Sequence, residues 1–276
     1  MTGKVITLTT DFGLADAYVG VMKGVILGIA PEATIVDLSH EIRPQDVRHG
    51  AFVLKTACRY FPPGTIHVVV VDPGVGSRRR ILVARGASAT FVGPDNGVLT
   101  WALEDVGVDC VVGATEARFW RPAVSRTFHG RDIFAPLAAH LMRGIPVESL
   151  GPAVSDWLRI PFPLPQRCPG ANRVEGEILH IDRFGNLITN IELEADSGQV
   201  TNVSGGSVVL SESATFTIGP RSVAGLRRSY VEVEPGQLLA IAGSSGYLEL
   251  AVRDGSAAAA LGVRRGDSVQ IQLNPL

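Results

Sequence analysis

The sequence predicts an α/β protein in two parts: a layered N-terminal domain built on a mostly parallel sheet, and a smaller C-terminal antiparallel β-barrel domain. Three observations support this prediction. Short apolar runs alternate with helical patterns through the N-terminal half, and this alternation is typical of parallel strands covered by helices. A proline-rich stretch follows. Beyond it, short strand-like runs alternate with glycine and serine turns, which is typical of a small barrel or sandwich.

Apolar periodicity predicts the elements of the N-terminal domain. Continuous apolar runs of four to eight residues indicate buried strands, and apolar residues every three or four positions indicate amphipathic helices. The predicted strands are VITLTT (5–10), TIVDLS (34–39), TIHVVVVD (65–72), ILVAR (81–85), ATFVG (89–93) and DCVVGA (109–114). The predicted helices are DAYVGVMKGVILGIA (16–30), PQDVRHGAFVLKTACRYF (44–61), NGVLTWALEDVG (96–107) and RDIFAPLAAHLMRG (131–144).

The C-terminal region has shorter strand patterns and one short helical pattern. The predicted strands are VEGEILHID (174–182), NLITNIEL (186–193), GSVVL (206–210), LLAIAG (238–243), YLELAV (247–252) and DSVQIQL (267–273), and SAAAALG (256–262) predicts a helix. The stretch PFPLPQRCPGANR before them is rich in proline, which neither a helix nor a central strand tolerates. We therefore expect domains at residues 1–162 and 174–276, joined by a linker over 163–173.

Composition favours a folded protein with a small-molecule partner. The chain has 276 residues, 46% of them hydrophobic and 19% charged, which suits two domains with their own cores. The net charge of −2 supplies no global field for nucleic acid or anionic membranes. The N-terminal residues lack a signal-peptide pattern and no apolar run reaches the length of a membrane span, so the cytoplasm is the expected location. Cys58, Cys110 and Cys168 lie far apart and outside CxxC patterns, so neither a disulfide framework nor a structural zinc site is predicted.

Polar side chains follow three of the predicted parallel strands. Ligands of open α/β sheets bind outside the carboxyl ends of the strands, so Asp11, Asp37 with His40, and Asp72 are candidates. An aspartate at such a position also caps the next helix or stabilises a turn. That simpler interpretation is favoured for Asp16 and Asp37.

Asp72 differs because the segment DPGVGSRRR ends a four-valine strand in a stiff turn, whose glycines let a ligand approach the backbone. Arg78, Arg79 and Arg80 lie within reach of the same loop. An aspartate–arginine pair that only pins the loop remains an alternative. The arginines indicate a phosphate site only weakly, since neither a P-loop nor a dinucleotide-binding motif is present.

Three further segments carry polar candidates. His129, in TFHGRD, precedes a predicted helix at the same expected edge of the sheet, although on this segment alone a capping or solvent-facing role is favoured. Asp132 near the helix start favours the helix dipole. In the C-terminal region, Asp182 and Asn186 flank one glycine turn and Ser244 lies in another, and from spacing alone both are hairpin turns.

Six motifs, in order over nearly the whole chain, together resemble one family. They are TTDFG (9–13), VDLSHEI (36–42), VDPGVGSRRR (71–80), GPDNGVLT (93–100), TFHGRDIFAPLAAHL (127–141) and IDRFGNLITNI (181–191). The family is that of the S-adenosyl-L-methionine (SAM) hydroxide adenosyltransferases, relatives of SAM-dependent fluorinases and chlorinases. The resemblance implies an enzyme in which water or hydroxide attacks the ribose 5′ carbon of SAM and releases adenosine and L-methionine. It also implies SAM as substrate with no cofactor or metal, and a homotrimer with sites between the N-terminal domain of one subunit and the C-terminal domain of the next.

The resemblance also implies roles for individual residues. Asp72, Arg79 and His129 match a catalytic triad, with Arg79 chosen among the three arginines by its spacing of seven from Asp72. The positions that match substrate contacts are Asp11 for the ribose hydroxyls, Asn186 for adenine, Asp182 and Ser244 for the methionine end, Asp16 more weakly for that end, and Val252 where backbone groups meet the base. Residues 72 and 130 are tyrosine and serine in a fluorinase-like enzyme but Asp72 and Gly130 here, and a long insertion of fluorinases is absent, so halide chemistry is not expected. Ser245 replaces a fluorinase arginine, which leaves the methionine carboxylate contacts open.

The implied reaction needs an activated water. The sulfonium is already a good leaving group, but bulk water has a pKa of about 15.7, so a site must remove its proton or hold hydroxide. We expect Asp72 and His129 to orient the water and accept its proton, while Arg79 offsets the carboxylate and stabilises the developing charge. Two alternatives remain: a non-catalytic module that binds SAM or adenosine, and a metal-dependent hydrolase. The ligands of that hydrolase would be Asp11, Asp37, His40, Asp72 and His129.

Overall fold

A computed structural model describes residues 5–168, 170, 172–194, 199–201, 203–204, 208–210 and 214–273. The chain divides into two compact units, Met1–Pro161 and Phe162–Leu276. Of the predicted linker, Pro169 and Ala171 lie outside the described residues. None of the helices in the described part of the chain has the length and apolar character needed to span a bilayer.

The first unit contains every strand and helix predicted for it. Its strands are β1 (Val5–Thr10), β2 (Thr34–Ser39), β3 (Thr65–Val70), β4 (Ile81–Arg85), β5 (Ala89–Pro94) and β6 (Cys110–Gly113). Its helices are α1 (Tyr18–Ile29), α2 (Val47–Cys58), α3 (Thr100–Val106) and α4 (Ala135–Met142), the last preceded by a π-helical turn at Gly130–Phe134.

The six strands form one mixed sheet in the order β2-β1-β3-β5-β4-β6. Strands β2, β1, β3 and β5 pair in parallel, and β4 is antiparallel to both of its neighbours. The reversal at β4 has a simple cause: residues 86–88 alone connect it to β5, and a parallel pair needs a crossover of a dozen or more residues.

The sheet is buried on both faces. On β3, Ile66 and Val68 pack into the core beneath α1 and α4, whereas Val69 packs into the core beneath α2 and α3. This alternation follows from the two-residue period of a strand. Because β1 and β3 are parallel neighbours, the residues that follow them, Asp11 and Asp72, emerge at the same edge of the sheet.

The second unit is built around an 11-stranded, barrel-like sheet that is nearly closed. Its strands are β7 (Gln166–Cys168), β8 (Arg173–Ile181), β9 (Leu187–Leu193), β10 (Gln199–Thr201), β11 (Val208–Val209), β12 (Thr215–Ile218), β13 (Arg221–Ala224), β14 (Leu226–Arg227), β15 (Leu238–Ala242), β16 (Tyr247–Val252) and β17 (Ser268–Gln272), and the α-helix α5 spans Ala257–Leu261. The predicted strands and helix are present, although Gly206 and Ser207 of the GSVVL strand lie outside the described residues. This sheet is mixed too, because β14 and β15 pair in parallel.

Strand β7 forms within the segment predicted as linker. It pairs antiparallel with the start of β8 and lies off the main path of the sheet. A peripheral strand tolerates the surrounding prolines, because those residues need not donate to a ladder on both sides.

Candidate active site

The loop between β3 and β4 folds back so that Arg79 reaches Asp72. Two tight turns shape the loop, with Val75 N donating to Asp72 O at 3.1 Å and Ser77 N donating to Gly74 O at 3.1 Å. Arg79 Nε donates to both carboxylate oxygens of Asp72, at 2.9 and 3.0 Å, and Nη2 donates to Oδ2. The side chains of Arg79 and Asp72 are only 9% and 4% exposed. Charge-assisted hydrogen bonds of this kind are among the strongest in proteins.

His129 joins this pair from a distant part of the chain. Its Nδ1 lies 2.8 Å from Arg79 Nη2. A guanidinium has donors and no acceptor, and it stays protonated in proteins, so Nδ1 must be the acceptor. Neutral His129 therefore carries its hydrogen on Nε2. Burial first, and then the charge of Arg79, lower the pKa of His129 against the opposing effect of Asp72, which favours the neutral ring.

The π-helical turn before α4 sets the position of His129. His129 is the residue before the turn, and Ala135 N donates to Gly130 O across five residues. The sequence predicted a helix from residue 131 but not this turn. Such turns occur frequently at functional sites. The same turn supplies Phe134, whose ring lies 5.3 Å from the guanidinium carbon of Arg79.

The three consecutive arginines point to different partners. Arg79 contacts Asp72 and His129, as above. Arg80 instead donates to Asp95 Oδ2 and Asp156 Oδ1, both at 2.6 Å, and Arg78 is exposed. The structure therefore brings Asp72, Arg79 and His129 into contact, whereas Arg80 anchors the loop at the start of β4.

Asp11 and Asp16 lie in the loop that follows β1. Asp11 Oδ2 accepts a hydrogen bond from Gln45 N at 2.7 Å. Gln45 has a φ of 65°, a left-handed conformation that is uncommon for a residue other than glycine. Asp11 thus holds a strained backbone position at the edge where Asp72 also emerges, while Asp16 is exposed just before α1.

Asp37 and His40 form a separate network on β2 and the residues after it. His40 is buried, with Nδ1 2.8 Å from Thr10 Oγ1 and Nε2 3.0 Å from Asp37 Oδ1. Lys23 Nζ donates to Asp37 at 2.6 Å. Burial alone would raise the pKa of Asp37, but the hydrogen bonds from Lys23 and His40 outweigh it and lower the pKa. These contacts agree with a structural role for Asp37.

The ligand set of a metal-dependent hydrolase is not assembled. The carboxylates of these aspartates accept hydrogen bonds from other groups: Asp37 from Lys23, Asp11 from the backbone N–H of Gln45, and Asp72 from Arg79. Throughout the described ranges, no three His, Cys, Asp or Glu side chains are grouped so that they could hold a metal ion.

In the second unit, Asp182 organises the turn between β8 and β9. Its Oδ1 accepts from Phe184 N and Asn186 N, and its Oδ2 accepts from Asn186 Nδ2, all at 2.9 Å. Ser244 is exposed in the turn between β15 and β16. Val252 ends β16, and its carbonyl accepts from Gly255 N at 3.1 Å. Asp182 and Asn186 are therefore in direct contact, as the predicted hairpin requires.

Both parts of the chain match one protein family. The SAM hydroxide adenosyltransferase N-terminal domain matches residues 6–151, and the C-terminal domain of the same family matches residues 176–270. The chain belongs to the SAM hydroxide adenosyltransferase family.

Individual members of this family and its relatives agree with that placement. A Thermus thermophilus protein named (R)-S-adenosyl-L-methionine hydrolase is 41% identical over 272 residues, covering 95% of this chain and 97% of its own. A fluorinase from an Actinoplanes species is 32% identical over 68% of this chain and 71% of its own. The crystal structure of an uncharacterised conserved protein from Thermotoga maritima superposes with a TM-score of 0.86 at 37% identity, covering 96% of this chain and 99% of the other.

This SAM hydroxide adenosyltransferase family member has two polar residues near Asp182 that the sequence reasoning missed. Tyr230 Oη donates to Glu249 Oε1 at 2.5 Å. Glu249 is buried, and burial first, with a smaller effect of Asp182, raises its pKa despite the hydrogen bond from Tyr230. The signal available was the single acidic residue inside the apolar strand YLELAV, because a buried carboxylate needs a specific reason.

Proposed function

We propose that this protein hydrolyses SAM to adenosine and L-methionine. A water oxygen bonds to the ribose 5′ carbon as the bond from that carbon to sulfur breaks, and the sulfur keeps the electron pair and becomes the neutral thioether of methionine. The water proton leaves to a base. The observation that carries the proposal is the contact of Asp72, Arg79 and His129 at a sheet edge, supported by family membership and by the name of the Thermus thermophilus relative.

The hydrogen-bond directions divide the work within the triad. Neutral His129 carries its hydrogen on Nε2, because Nδ1 accepts from Arg79. A ring in that state can donate a hydrogen bond to the water through Nε2 but has no free lone pair to take a proton. Both oxygens of Asp72 accept from Arg79, yet a carboxylate oxygen has a second lone pair. We therefore assign the base to Asp72 and the orientation of the water to His129, rather than proton acceptance to both.

Arg79 balances the charge of this site. An unpaired carboxylate beside a sulfonium would stabilise the bound substrate as much as the transition state, which does not accelerate the reaction. The guanidinium on Asp72 weakens that ground-state attraction and stabilises negative charge as it develops on the attacking oxygen. Because the pair is largely shielded from water, its effect is stronger than it would be at an exposed position.

We extend the proposal to substrate binding and assembly. The domain at 1–162, with its mostly parallel strands, would supply the triad, with Asp11 at the ribose hydroxyls. The antiparallel barrel at 174–276, after the linker 163–173, would supply the remaining contacts. These are Asn186 for adenine, Asp182 and Ser244 for the methionine end, and Val252 for the base. Asp16, from the first domain, would also contact the methionine end. The family resemblance supports a homotrimer in which neighbouring subunits complete each site.

The test is a product assay. Purified protein is incubated with SAM in water enriched in oxygen-18, and adenosine and methionine are measured by mass spectrometry. We expect equal amounts of both products, one heavy oxygen in the adenosine, and unchanged activity in excess chelator. Release of adenine instead of adenosine, or binding of SAM without turnover, would refute the proposal, and loss of activity in chelator would favour the metal-dependent alternative.

A matched variant tests the base. Asp72→Asn keeps the size of the side chain and removes its basicity, so turnover should fall at least about a hundredfold while SAM still binds. Full turnover by this variant would show that Asp72 is not the base.

Mixing inactive Asp72→Asn subunits with inactive Asn186→Ala subunits tests the assembly. Partial recovery of activity is expected if neighbouring subunits share each site, and no recovery is expected if each subunit works alone.

A further inference from the structure

A loop next to His129 joins the two segments that carry the triad. Residues 121–128, here called the 121–128 loop, run directly into His129. Gly76, in the loop between Asp72 and Arg79, has a φ of 77°, and a Cβ placed there would lie 2.3 Å from Arg126 O. The two backbones are therefore in direct contact, so the position of the 121–128 loop affects both sides of the triad.

Asp132 holds this loop at its start, middle and end. Its backbone oxygen accepts from Arg121 N at 2.9 Å, and its backbone nitrogen donates to Phe128 O at 3.2 Å. Its carboxylate accepts from Ser125 N at 2.9 Å and from Arg121 Nη1 at 3.2 Å. Asp132 thus closes the loop that ends at His129.

The carboxylate of Asp132 is a strong structural acceptor because of its surroundings. The side chain has no exposed surface, and Arg131 donates to its two oxygens at 2.7 and 2.8 Å. Burial alone would raise its pKa, but the hydrogen bonds from Arg131 and Ser125 outweigh burial and lower it. The groups that hydrogen-bond to this carboxylate, from Arg121, Ser125 and Arg131, are all donors, so an amide in this place would direct its own N–H at another donor.

We propose that Asp132 is a positioning residue for the SAM hydrolysis reaction: it fixes the 121–128 loop so that His129 Nδ1 meets Arg79. This inference rests on the proposed function. The dipole role expected from the sequence does not explain bonds to three points of the loop. Because Asp132 acts through His129, its loss should lower the rate of the chemical step and leave SAM binding nearly unchanged.

The test compares Asp132→Asn with the wild-type protein. We expect kcat for SAM cleavage to fall about 10- to 100-fold, with KM within about threefold. Nitrogen-15 NMR of the histidine rings supplies a readout that does not depend on activity: wild-type His129, assigned with a His129→Gln variant, should show an unprotonated Nδ1 and a protonated Nε2. In Asp132→Asn we expect a mixture of tautomers.

Three further variants keep the proposal testable. Leu54→Ala, at a buried position of α2, is the stability control and should keep wild-type kcat and the His129 tautomer. In Asp132→Asn the charge of Arg131 loses its carboxylate partner, and the double variant Arg131→Gln/Asp132→Asn removes that charge. Its kcat should stay low, because the hydrogen bond from Ser125 N is still altered. If Asp132→Asn does not fold, Arg121→Gln removes one contact at a partly exposed side chain, and a three- to fivefold lower kcat is expected.

The outcomes separate this proposal from the proposed function. Three results would each overturn the positioning role. They are an unchanged His129 tautomer in Asp132→Asn, a kcat of that variant equal to that of the Leu54→Ala control, and recovery of kcat in the double variant. Absence of SAM cleavage by the wild-type protein would instead overturn the proposed function, and the NMR comparison would still test whether Asp132 sets the geometry of His129.

Discussion

Arg79→Lys is the most informative change to the triad, because it keeps the charge and removes the geometry. Arg79 makes three contacts with Asp72 through Nε and Nη2 and a fourth with His129 Nδ1. A lysine ammonium is a single point on a flexible chain and cannot bridge the carboxylate and the imidazole as a planar guanidinium does. One contact with Asp72 should persist, and the bond to His129 should be lost.

The size of the effect follows from the contacts removed. A hydrogen bond to a charged group contributes about 1.5–3 kcal/mol, and losing the bridge to His129 with part of the carboxylate contact should cost about 3 kcal/mol of transition-state stabilisation. At 1.36 kcal/mol for each factor of ten, this is a loss of about a hundredfold in kcat. KM should change little, because the carboxylate of Asp72 is retained.

The assay is the single-turnover rate of adenosine formation with enzyme in excess over SAM, which isolates the chemical step. The exposed neighbour Arg78 supplies the matched control, since Arg78→Lys should retain the wild-type rate. A folded Arg79→Lys protein that cleaves SAM within about threefold of wild type would refute the bridging role of the guanidinium.

Three other outcomes are expected. The kcat of the enzyme should fall on acidification, but only at a pH below the ordinary histidine pKa of about 6.5, because the pKa of His129 is lowered and a protonated ring cannot accept from Arg79; a pH-rate profile checks this. Buried His67 has a pKa of about 4 in the folded protein and 6.5 when unfolded, so the unfolded state binds the proton more readily and up to about 3 kcal/mol of stability should be lost as pH falls from about 6.5 to about 4. The free energy of unfolding, measured with urea, should depend less on pH in His67→Phe than in the wild-type protein. An equal pH dependence in the two proteins would contradict this account. Gly76→Ala should lower the melting temperature and kcat together, because Ala is disfavoured at positive φ and its Cβ would collide with Arg126 O.

Local patterns in the sequence were sufficient to predict most elements of the fold. The six N-terminal strands and four helices are recognisable because their apolar periodicity is strong and their ends carry turn residues. The reversed direction of β4 was also encoded, in the three residues that connect it to β5, but strand patterns alone carry no direction. The short strands β7, β10, β12, β13 and β14 were missed because runs of two to four residues have little periodicity.

The candidate site was predictable only in part. Asp72 and the arginines form a local signal, but the choice of Arg79 and its link to His129 came from the family resemblance. The 49 residues between Arg79 and His129 contain no pattern that specifies their contact. Asp132 and Glu249 were not identified as site neighbours, because burial and the direction of hydrogen bonds depend on tertiary packing. The π-helical turn has no simple sequence signature.

Arg80 fixes the backbone next to Arg79. It is held between Asp95 and Asp156, and Asp95 N in turn donates to its carbonyl at 3.0 Å, so contacts within the protein anchor the backbone one residue after Arg79. The reactive constellation is consequently preorganised, and little reorganisation energy needs to be spent when SAM binds. Ligand-free and substrate-bound crystals should therefore show the same Arg79 rotamer.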